Sequence, residues 1–62
     1  MRDHTKYLLN CHLMSYRYQQ KVAASDQWRQ LAKAEEEAFK LGAEMVAGCF
    51  IDWEEIAAYQ AK

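Results

Sequence analysis

The sequence predicts an all-α fold: an antiparallel helical hairpin plus a short C-terminal helix, self-associating into a helical bundle. Three observations predict it. The 62 residues contain no proline and only two glycines, Gly42 and Gly48, too few for the tight turns of sandwiches and barrels. Ten alanines, with Glu, Lys, Gln, Leu and Met, favour helix. Apolar side chains recur at helical spacing through most of the chain. A hydrophobic fraction of 52% argues against disorder, and the length suits one domain, residues 1–62, too small to enclose a catalytic pocket.

The first helix is expected over about residues 5–24, with Asp3 at its N-terminal side and Arg17 and Lys21 in its C-terminal turns, as the helix dipole prefers. Tyr7, Leu8, Cys11, Met14, Tyr18 and Val22 share one face. This face is expected to pack inside the hairpin. Leu9, Leu13 and Tyr16 form a second stripe, which that packing would leave free.

Ala23-Ala24-Ser25-Asp26 is the expected break, with Ser25 or Asp26 capping the next helix; the pattern is also compatible with one continuous helix. The second helix is expected over about residues 26–47. Arg29, Gln30, Lys33, Glu36, Glu37, Lys40 and Glu44 share a polar arc, with Glu36 and Lys40 in the favourable i,i+4 order. Trp28, Leu31, Ala32, Ala34, Ala38, Phe39, Leu41, Ala43, Met45 and Val46 fill the rest, an arc wide enough to touch two neighbours. Glu36 and Glu37 read as solvated; Glu35, inside the apolar arc near Gly42, reads as pairing with a cation or reaching out to water.

Gly48 is the natural stop for this helix. Asp52-Trp53-Glu54-Glu55 resembles a capping box, so a short helix over about residues 53–60 should follow and turn Trp53, Ile56 and Ala57 inward. With the turn near residues 24–25, residue i should lie roughly opposite residue 49−i: Tyr18 on Leu31, Cys11 on Ala38, Tyr7 on Leu41 and Gly42.

The net charge is −1, but residues 1–33 carry six basic and two acidic groups, and residues 34–62 two basic and seven acidic. That polarity suits antiparallel packing, within the chain or against a copy. Cys11 and Cys49 make neither a disulfide framework nor a CxxC site. Cys11 reads as a small core residue beside a surface His12, which points away from it and makes a poor base. No spacing of His4 and His12 with Cys or carboxylates suggests a metal, and no cofactor motif occurs. Met1-Arg2-Asp3-His4 leads into a mixed stretch unlike a signal peptide, and no apolar run reaches bilayer length. The expected compartment is the cytoplasm.

These readings point away from an enzyme. They point to a small protein-interaction or regulatory module, docking through apolar helix faces and forming a homo-oligomer, most simply a dimer. Leu9, Leu13 and Tyr16 on the first helix, Trp28, Phe39 and Val46 on the second, and Trp53 are the expected contact residues, because together they exceed what one hairpin contact covers. The alternative is a nucleic-acid-binding helical dimer using the basic side of the first helix, Lys6, Arg17 and Lys21.

The stretch Tyr7-Leu8-Leu9-Asn10-Cys11-His12-Leu13-Met14, continuing Tyr16-Arg17-Tyr18-Gln19-Gln20-Lys21, resembles small accessory proteins of lambdoid bacteriophages over about a quarter of the chain. The resemblance implies an early-region protein that acts in the host cytoplasm by binding a host factor. It assigns no role to any individual residue.

Overall fold

The computed structural model of the chain describes residues 2–60, and its first bend falls within Ala23–Asp26. Helix α1 runs Asp3–Val22, α2 Asp26–Ala47 and α3 Trp53–Ala58. Ala23 leaves the helical conformation at φ −61°, ψ 128°. Ser25 is extended, and its Oγ accepts from the Trp28 N–H at 3.1 Å, satisfying one of the free donors that start α2. The break is therefore real, and the two long helices form a hairpin.

Each remaining boundary has a local cause. Asp3 and Lys21 sit in the first and last turns of α1, each complementing the helix dipole. Gly48 ends α2 in the left-handed conformation at φ 74°, and its N–H returns to the Glu44 carbonyl at 2.9 Å. Asp52 caps α3 through Oδ1, accepting from the Glu54 and Glu55 N–H groups. The reciprocal half of the expected capping box is replaced: Glu55 Oε1 accepts instead from Lys6 Nζ at 2.8 Å.

Helix α1 is the centre of the fold. It packs against α2 along the hairpin and against α3, which folds back beside it. The Cα framework measures 36 × 27 × 14 Å, a slab rather than a sphere. Among the described residues the fully buried hydrophobic side chains are Leu13, Ala32 and Ile56.

The faces of α1 are the reverse of the sequence expectation. Leu13 is 0% exposed, and Leu9 and Tyr16 are half-buried, so this stripe forms the seam. Tyr7, Leu8, Cys11, Met14, Tyr18 and Val22, expected inside, are exposed. The register moves too. Tyr16, expected opposite position 33, lies beside Phe39, and Gln20, expected opposite position 29, reaches Glu36. The physical reason is polar. Arg17 and Gln20 flank Leu13 around α1, so turning that side toward α2 gives Glu36 hydrogen-bonding and charged partners. The more apolar side of α1, Tyr7, Leu8, Cys11, Met14, Tyr18 and Val22, offers no charged partner.

Candidate interaction surface

The interior of the seam is held by one carboxylate. Glu36, expected in water, is 8% exposed. Its Oε1 accepts from Gln20 Nε2 at 3.0 Å and lies 3.6 Å from Arg17 Nε, while Oε2 lies 3.0 Å from Lys40 Nζ. Burial pushes the Glu36 carboxyl up. The hydrogen bonds from Lys40 and Gln20, with the charges of Lys40 and Arg17, outweigh burial and hold it below the usual carboxylate range. Gln20 and Arg17 come from α1 and Lys40 from α2, so the carboxylate ties the two helices together at this level.

A second polar clasp holds α3. Asn10 Nδ2 donates to the Ile56 carbonyl at 2.8 Å and to the Tyr59 carbonyl at 3.4 Å. Lys6 pairs with Glu55; that carboxylate raises the Lys6 ammonium above its ordinary range, first through the hydrogen bond and then through charge. Phe39 is the aromatic hub, with ring centroids 5.6 Å from His12, 5.7 Å from Tyr16 and 5.5 Å from Trp53. Trp53 Nε1 is buried without a hydrogen-bond partner.

These contacts account for most of the residues expected to meet another chain. Leu9, Leu13, Tyr16, Phe39 and Trp53 lie in the hairpin's own interior, fully or half-buried. Trp28 and Val46 remain exposed, Val46 at 91%. The basic side of α1 is also engaged: Lys6 holds Glu55 and Arg17 approaches Glu36, leaving Lys21 as the member of that trio without an ion pair among the described residues. Glu35 is exposed and, like Glu37, has no ion pair among the described residues.

Two apolar faces are left open. On α1 it is Tyr7, Leu8, Cys11, Met14, Tyr18 and Val22, with Tyr18 64% exposed. On α2 it is Leu31, Ala34, Ala38, Leu41 and Met45, with Leu41 63% exposed, continuing to Phe50 beyond the helix. Each face lies on the side of its helix away from the other helix, so the two look out from opposite sides of the hairpin. Their spacing could have revealed them. Positions 31, 34, 38, 41 and 45 alternate three and four, as do 7, 11, 14 and 18, which is the pattern of a helix seam meeting another helix. Taking the more apolar side of α1 as the interior hid that signal.

Cys11 is on the outer face, not in the core, and Cys49 is also an exposed free thiol. The Cys11 thiol beside Tyr7 pushes the tyrosine hydroxyl above its ordinary range, by hydrogen bond first and charge second. Among the described residues no group of three or more His, Cys, Asp or Glu side chains is placed to hold a metal ion. Among them, too, no helix is long and apolar enough to cross a membrane. Comparison with known protein families, curated proteins and solved structures finds no match.

Proposed function

We propose that the chain is a non-enzymatic protein-interaction module that docks through the outer apolar faces of α1 and α2. The observation that carries this reading is the imbalance between interior and surface. The fully buried hydrophobic side chains among the described residues are Leu13, Ala32 and Ile56, while Tyr7, Leu8, Met14, Tyr18, Leu31, Leu41 and Met45 face solvent in two continuous stripes. Apolar stripes of this extent, edged by polar residues, are the surface that helix-in-groove and bundle contacts use. The polar groups of the seam are committed to holding the hairpin, so the outer faces are free to act without unfolding it.

The resemblance of residues 7–21 to lambdoid accessory proteins supports a regulatory setting, in which the module occupies a surface on a host protein. Photocrosslinking from positions 14 and 41 in cells producing the chain tests the docking reading. Discrete protein adducts are expected from both, and none from Arg29, an exposed polar control. Equal yields from position 29 and the two outer positions would reject the reading.

A further inference from the structure

Resting on that docking reading, we infer that the α2 outer face is occupied by the α1 outer face of a second copy, joined head to tail. The surface area sets the scale. A compact monomer of 7.3 kDa exposes about 4,200 Å². This chain exposes 4916 Å². The excess, about 700 Å², is shared between the two faces of each copy and corresponds to a contact on each that is smaller than the roughly 800 Å² per partner of a standard interface.

Shape and charge choose which faces meet. The α1 face carries large side chains at Tyr7, Met14 and Tyr18. The α2 face is low at Ala34, Ala38 and Gly42, and a Cβ added at Gly42 would meet nothing within 4 Å. Large side chains of one copy fill the low surface of the next. The edges agree: Lys21 borders the α1 stripe, while Glu35 and Glu37 border the α2 stripe, none of the three in an ion pair among the described residues. Pairing α2 with α2 would bring Glu35 and Glu37 of both copies to one contact, and pairing α1 with α1 would set large on large.

Because the two faces point away from each other, one copy presents them to two different neighbours. The contact is therefore heterologous, and it closes into a ring or continues as a stack rather than stopping at a two-fold dimer.

Complementation between face variants tests this. Tyr18→Glu spoils the α1 face and Leu41→Glu the α2 face; both sites are well exposed, so the seam is untouched. By sedimentation, the unmodified chain should exceed a dimer, each variant alone should fall to the 7.3 kDa monomer, and an equal mixture should recover a species of about twice that mass. Circular dichroism checks helicity, and Tyr18→Ser and Leu41→Ser replace any variant that loses it. A mixture that stays monomeric overturns the inference, as does a Leu41→Glu chain that still dimerises through α1 or a Tyr18→Glu chain that does so through α2. A monomeric unmodified chain that still yields adducts with a different protein in cells would reject self-pairing and leave the docking reading standing.

Discussion

Gln20 Nε2 donates to Glu36 Oε1 across the hairpin at 3.0 Å, and this bond between α1 and α2 sits at the centre of the polar seam. Glu36→Gln keeps the shape but removes the charge that Lys40 and Arg17 answer. A loss of about 1–2 kcal/mol near neutral pH is expected in urea unfolding followed by circular dichroism. The pH dependence follows from the sign. The folded carboxyl titrates below its unfolded value of about 4.3. The stabilisation is therefore complete above that value and is lost as pH falls through the folded one. Glu36→Gln should flatten the acid limb of the stability profile.

Leu13 fills the seam completely, so Leu13→Ala should cost about 3 kcal/mol, within the usual range for a buried leucine. In a domain this small, that is enough to populate the unfolded state at room temperature. Leu41→Ser, on the outer face, should change the unfolding free energy of the single chain by about 0.5 kcal/mol or less. Paired thermal melts at low concentration compare the two.

Asn10 ties α3 to α1 through the Tyr59 carbonyl and the Ile56 carbonyl, which also accepts from the Tyr59 N–H. Asn10→Ala should cost about 1 kcal/mol, concentrated in α3. The measurement is hydrogen exchange at residues 53–58, which should accelerate while Leu13 and its neighbours stay protected.

The two glycines should respond in opposite directions. Gly48→Ala forces a Cβ into the left-handed conformation and should destabilise by about 1 kcal/mol. Gly42→Ala meets open space inside a helix and should stabilise the single chain by about 0.5–1 kcal/mol. Chemical denaturation of the two variants checks the contrast.

The helices and their ends were legible in the sequence because their causes are local. Ser25, Gly48 and Asp52 act within a few residues of themselves, and periodicity alone makes α1 and α2 amphipathic. The orientation of α1 was not legible from apolar count. Its interior side is chosen by partners distant in sequence: Gln20 and Arg17 for Glu36, Asn10 for the end of α3, Lys6 for Glu55. Periodicity ranks the two sides by hydrophobicity and would choose the wrong one here. Glu36 escapes periodicity for the same reason, since a glutamate in a charged run looks solvated until its three partners are brought together. The candidate surface was present in the three-and-four spacing of Leu31, Ala34, Ala38, Leu41 and Met45, but it becomes a surface only once the other side of α2 is known to face α1.

The clasp between Lys6, Asn10 and α3 joins positions 46 to 49 residues apart, whereas the hairpin closes on a loop of a few residues. Loop-closure entropy therefore orders the assembly of the chain in time. The hairpin can zip from its turn before α3 arrives, and α3 lands last. In reverse, tension applied at the two ends loads the clasp first, peeling α3 from α1 before the Glu36 seam carries any force.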